Sequence, residues 1–196
     1  MLVFALAAVG QDTATVPQGQ WSVKHQFKET TPLAQYANKW LLSWSRSWHG
    51  ENFEAGYRVT YFDPANLISV LADWMEHSPG AAHPNSSYEG LVFAEIDGSP
   101  RQVWLKNFFR DNSDYRERVT KAVIEKLKNE EGASDVRSGE VKTLTNEQLD
   151  RFVVEPDGLV FLIDQYEVGP YSAGRFKIKL TFEELGPDFR MEMIRR

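Results

Sequence analysis

The side chains able to do chemistry in this sequence are few, and their spacing serves no common reaction. There are four histidines, His25, His49, His77 and His83, and no cysteine. Thiol catalysis, zinc–thiolate sites and disulfides are therefore excluded. Of the histidines only His77 and His83 are close, and their separation is no recognised ligand pattern. No metal or cofactor is expected. The sequence holds no G-x-S-x-G elbow, no phosphate-cradling glycine loop and no H-E-x-x-H motif. The carboxylate pairs Glu155/Asp157 and Asp164/Glu167 could divide acid and base roles only if burial separated their pKa values. Both lie among turn residues, which favours ordinary solvated carboxylates. No catalytic residue is assigned, and the chain reads as a binding protein and not an enzyme. Asn85-Ser86-Ser87 fits a glycosylation acceptor, a pattern too short to carry weight.

Charge narrows the partners. With 28 acidic against 22 basic residues and a net charge of -6, the chain lacks the positive field that gathers a phosphate backbone. Nucleic acid is not expected. The same acidity would speed encounter with a cationic protein.

Positioning these residues requires a fold, and 42% hydrophobic content supplies ample core. Trp21, Val23, His25 and Phe27 alternate with polar neighbours, the period of a half-buried strand, with His25 a hydrogen-bonded core residue. Leu33, Tyr36, Ala37, Trp40, Leu41 and Trp44 recur at helical spacing over Thr31 to Trp48, which makes both tryptophans core. The helix should end at His49-Gly50. Tyr57 to Tyr61 and Leu67 to Trp74 form a hairpin around Phe62-Asp63-Pro64. A second hairpin joins Tyr88–Ile96 to Gln102–Leu105 through Asp97-Gly98-Ser99-Pro100. Asp114 and Glu117 box the start of a helix whose stripe is Tyr115, Val119, Val123 and Leu127, stopped by Gly132. Glu130 to Glu140 reads as a charged mobile loop. Thr145 and Gln148 box a short helix, Phe152–Val154 and Leu159–Ile163 flank the turn at Pro156, and a strand with one basic face runs from Phe176 to Phe182. The class is α+β: antiparallel hairpins packed against a few helices.

Residues 1–10 end in Ala8-Val9-Gly10 before polar Gln11, which resembles the end of a secretory h-region; a frayed amino terminus is the alternative. The apolar run Leu2 to Val9 is about half of the roughly 20 residues that cross a bilayer, so no transmembrane segment is expected from it.

Two stretches carry a resemblance. One is Gly80-Ala81-Ala82-His83-Pro84-Asn85, followed by Tyr88-Glu89-Gly90-Leu91-Val92-Phe93 and Leu105-Lys106-Asn107-Phe108-Phe109. The other is Leu159 to Ile163 leading into Tyr166-Glu167-Val168-Gly169-Pro170-Tyr171-Ser172-Ala173-Gly174. In this order they resemble the RsiV-like domain, found at the carboxyl end of RsiV-type lysozyme-sensing anti-sigma factors and in PdaC-type peptidoglycan deacetylases. The resemblance assigns 78–196 to that domain and 11–77 to a companion α+β segment. It implies a bacterial cell-envelope domain, periplasmic or secreted, that binds a cationic protein such as lysozyme. Gly80-Ala81-Ala82 stands where a glycine pair is usual, and the deacetylase activity of a separate catalytic domain is not carried over.

The expected binding residues are Tyr166 and Tyr171, with large rigid contact area, Asp164 and Glu167, with acidity for a cationic partner, and His83 and Asn85 on the preceding turn. For each there is a plainer role: the tyrosines packing a strand end, His83 and Asn85 fixing a turn. Two other functions stay open. One is peptidoglycan contact through exposed Trp21, Trp48 or Trp104 stacking on a sugar ring; the other is a structural envelope role without a small ligand.

Overall fold

A computed structural model of the chain describes residues 14–15, 27, 30–47 and 52–194. Among these residues two antiparallel sheets and four α-helices make up the α+β fold. The larger sheet orders β1 (Ala14–Thr15), β2 (Phe53–Asp63), β3 (Leu67–Glu76), β4 (Asn85–Ile96) and β5 (Ser99–Gln102) as consecutive neighbours. The smaller sheet is β6 (Phe152–Glu155), β7 (Gly158–Ile163) and β8 (Phe176–Thr181), again in chain order. Helices are α1 (Pro32–Ser47), α2 (Tyr115–Leu127), α3 (Ser134–Ser138) and α4 (Asn146–Asp150). Among the described residues no helix is long and apolar enough to cross a membrane. The strand expected over Trp21 to Phe27 lies outside them apart from Phe27, whose N–H donates to Asn38 Oδ1 at 2.7 Å. Trp48, His49-Gly50 and the opening segment also lie outside.

Each face of the larger sheet has its own cover. Leu33, Ala37, Leu41 and Trp44 of α1 bury against Ile68, Val70 and Phe93, and the Trp40 ring sits 5.8 Å from that of Phe93. On the opposite face Leu71 meets Val153, Val160 and Leu162 of the smaller sheet. The smaller sheet's other face receives the α2 stripe, Val119, Val123 and Leu127, over Phe161, Ile178 and Leu180. Burying such side chains stabilises the fold by about 1.5–3 kcal/mol each. The two sheets touch backbone to backbone at Gly90, where a Cβ would lie 1.9 Å from the Phe152 carbonyl oxygen. Only glycine permits that approach.

Four local expectations are corrected. Asp97 and Gly98 both have positive φ, 52° and 72°, so they form a two-residue primed turn and β5 begins at Ser99, before Pro100. Residues 105–108 then turn into a 3-10 helix and do not prolong the strand. Asp114 precedes α2 without a side-chain cap, and the helix stops at Leu127. The interval expected as a loop, Glu130 to Glu140, contains α3 and buries Ala133 and Val136 in the main core. Sparse apolar residues in a charged segment were enough to anchor it. The box at Thr145 forms as read: Gln148 N–H donates to Thr145 Oγ1 at 3.2 Å and Thr145 N–H to Gln148 Oε1 at 2.8 Å.

Candidate functional site

β7 ends at Ile163, and the next four residues are held by a bonded knot of charge. Asp164 is placed beside β4, whose edge over residues 85–90 has no strand on that side among the described residues, because β5 pairs only with 93–96. Its Oδ1 accepts the Tyr88 N–H at 3.0 Å, and its Oδ2 accepts from the Ser87 hydroxyl and from Arg151 Nη1. The other arm of the Arg151 guanidinium donates to Glu167 Oε1, while Glu167 Oε2 accepts the Asp164 N–H at 2.7 Å. Gln165 Nε2 donates to Ser86 Oγ at 2.9 Å. A planar donor with two arms suits this bridging role.

The consequence for the expected acidity is direct. The Asp164 and Glu167 side chains are only 12% and 21% exposed, and both are spent on Arg151. They fix the loop's shape and offer little free charge to a partner.

What the loop does offer is aromatic. Tyr166 has φ +65° and is 63% exposed, so the backbone turns its ring outward. A bulky residue rarely adopts this conformation, and it persists here because its neighbours on both sides are pinned. The Tyr166 hydroxyl meets His83 Nε2 at 3.0 Å. The His83 ring stacks on Tyr171 with centroids 3.5 Å apart, and the Tyr171 hydroxyl donates to the Pro84 carbonyl at 2.9 Å. Tyr166 and Tyr171 centroids are 5.7 Å apart. Three rings from two distant segments thus form one small surface. Asn85, also exposed, opens β4 opposite Glu76 and directly follows Pro84, whose carbonyl accepts from Tyr171.

Beneath the knot lies a residue that sequence reasoning passed over. Glu89, half-buried on β4, accepts from the Trp44 indole N–H at 2.7 Å. Burial pushes its carboxyl above the ordinary value; hydrogen bonds from Trp44 and Trp74 pull the other way, and the nearby Asp164 charge adds to the upward shift. Arg151 was also missed, since an arginine after a short helix carries no local signal. Nearby, the Tyr88 ring lies under the Arg175 guanidinium at 3.7 Å and the Lys177 ammonium at 4.5 Å, and Arg175 pairs with Asp73 at 2.7 Å. Among the described residues no cluster of three or more His, Asp or Glu could hold a metal ion.

The segment supplying Arg151, the loop and Tyr171 matches a known family model, described as "Protein of unknown function (DUF3298)", over residues 106–183. Over that stretch the chain is similar to DUF3298 domains. The knot therefore joins the matched segment to a strand that precedes it, because Ser87, Tyr88 and His83 come from β4 and the turn before it. A solved DUF3298 family protein from Pseudomonas aeruginosa PAO1 shares the fold at a TM-score of 0.53 and 10% identity, over 79% of this chain and 69% of that one. A DUF3298 member from Bacteroides fragilis aligns at a TM-score of 0.47 and 20% identity, over 80% of this chain and 64% of its own length. No curated protein matches the sequence.

Proposed function

We propose that the chain is an extracytoplasmic binding module, periplasmic or secreted, which recognises a cationic cell-wall-associated protein such as a lysozyme and performs no catalysis. One observation carries this reading: an outward tyrosine, 63% exposed, held in a left-handed backbone conformation by a buttress of bonds on either side. An exposed aromatic with few rotors and a fixed backbone loses little entropy on binding, which is the property of a contact hot spot. The RsiV-like resemblance points to the same loop. The partner's positive charge would be met by the chain's overall field, net -6, and not by Asp164 or Glu167. Steering and contact are thus assigned to different parts of the molecule.

Titration calorimetry of the chain with a cationic lysozyme, at low and physiological salt, tests the proposal. Saturable one-to-one binding that survives physiological salt and weakens at least tenfold in Tyr166→Ala is the expected result. No binding, or binding erased by salt and indifferent to Tyr166, would reduce the attraction to charge alone.

A second reading is favoured by Trp104, which is 43% exposed beside the 3-10 helix at 105–108. An exposed indole can stack on a saccharide ring. Quenching of tryptophan fluorescence by soluble peptidoglycan fragments, abolished in Trp104→Ala and unaffected by Tyr166→Ala, would favour glycan contact over protein recognition.

A further inference from the structure

Away from the tyrosine surface, α2 and the segment 139–146 border an open groove of about 690 Å³. Its floor is apolar: Ile124, Val136, Leu144 and Leu149 all line it. Its rim is charged in an uneven way. Four cations, Arg116, Lys121, Lys128 and Lys142, stand against two acids, Glu117 and Glu125. Lys128 and Glu125 pair with each other at 2.6 Å, which leaves three cations against one acid. Among the described residues Lys121 and Lys142 have no carboxylate within ion-pair distance. In a chain of net charge -6 this is an excess of the minority sign, gathered around an apolar trough.

The wall opposite α2 adds an independent feature. Lys142, Thr143 and Leu144 belong to no helix or strand. Among the described residues, no backbone hydrogen bond reaches their N–H or C=O groups, while Val141 before them and Thr145 after them are both tied down. Backbone polar groups left in this state are a template for an incoming strand.

We propose that this groove binds an extended acidic peptide, pairing its backbone with residues 142–144, seating alternate apolar side chains on Ile124 and Leu144, and directing carboxylates to Arg116, Lys121 and Lys142. The lining positions of α2 and its C-cap run from Arg116 to Lys128, a rise of about 18 Å at 1.5 Å per residue. An extended chain covers that length in about five or six residues. The alternation of a strand suits the site, because successive side chains would face the apolar floor and the charged rim in turn.

Fluorescence anisotropy with the full chain and a labelled octapeptide of alternating Glu and Leu tests this. Saturable binding is expected, at least tenfold weaker for the Lys/Leu peptide and for a Glu/Leu peptide with N-methylated backbone. Lys121→Glu combined with Lys142→Glu alters exposed side chains, should leave the circular dichroism unchanged, and should weaken the Glu/Leu peptide tenfold or more. Tyr166→Ala should not affect it, which separates this site from the tyrosine surface. Absent binding, equal affinity for the Lys/Leu peptide, or indifference to the double charge reversal would overturn the proposal. So would self-association in sedimentation that the same double substitution abolishes, since the groove would then be an interface between two copies.

Discussion

The Tyr166 loop and the α2 groove are built from the same residue types and end in opposite states. In the loop, Arg151 meets Asp164 and Glu167, and further bonds reach Ser87 and Tyr88 from a strand far back in the chain. Charge is consumed there and an aromatic ring is left on view. In the groove, the cations on one helix and its following segment find one carboxylate partner among the described residues, Lys128 with Glu125, while Arg116 reaches only the Tyr115 hydroxyl. Whether a charge is available to a partner is therefore decided by what another segment brings within a few ångströms. Composition alone cannot distinguish the two cases.

The sharpest way to break this contrast is to separate the strands that assemble the loop. Gly90→Ala places a methyl against the Phe152 backbone, at the joint between the strand carrying Ser87 and Tyr88 and the strand next to Arg151. A cost of about 3 kcal/mol or more is expected from such overpacking, read from the midpoint of urea unfolding. A near-neutral result would mean that the sheets are not pinned there. Slightly smaller is Arg151→Met, which leaves two partly buried carboxylates uncompensated; about 2–3 kcal/mol of stability should go, with lysozyme binding lost and groove-peptide binding retained in the folded protein. If both binding activities fell together, the two regions would not be independent.

A finer test separates the Tyr166 ring from its backbone. Both Tyr166→Ala and Tyr166→Gly remove the aromatic contact, yet only glycine is at ease at φ +65°. Tyr166→Gly should be more stable than Tyr166→Ala by about 1 kcal/mol in thermal unfolding, with partner binding equally weakened in both. Equal stability would mean the loop relaxes out of the left-handed conformation once the ring is gone.

The smallest effect concerns Glu89, whose raised folded-state pKa, due first to burial, fixes the sign. The folded state holds the proton more tightly than the unfolded chain. Its contribution is thus complete below the ordinary carboxylate pKa and is lost as pH rises through the raised folded value. Glu89→Gln keeps an oxygen for the Trp44 indole but no titrating proton. Its melting temperature relative to the parent chain should therefore climb between acid and neutral pH. A difference that stays flat across that range would show that Glu89 titrates normally.

The sequence by itself determined most of the elements. Periodicity fixed the α1 and α2 stripes and the hairpins, the Thr145/Gln148 spacing fixed a cap, and the α+β class followed, because each of these signals lies within a few residues of chain. Tyr166, Tyr171 and His83 were expected as binding residues only through a resemblance to the RsiV-like domain, which did not say that their rings would meet. Only the tertiary structure decided what those residues became. Tyr166 turned outward, while the two acids expected to serve a partner were captured by Arg151. α3 found burial inside a run that looks like a loop. Glu89 acquired two indoles and a neighbouring charge. The physical reason is the same in each case: charge availability and burial depend on contacts between segments far apart in the chain, 87 residues for the Tyr171 hydroxyl on the Pro84 carbonyl and 102 for Arg175 on Asp73, and such contacts leave no mark on local pattern.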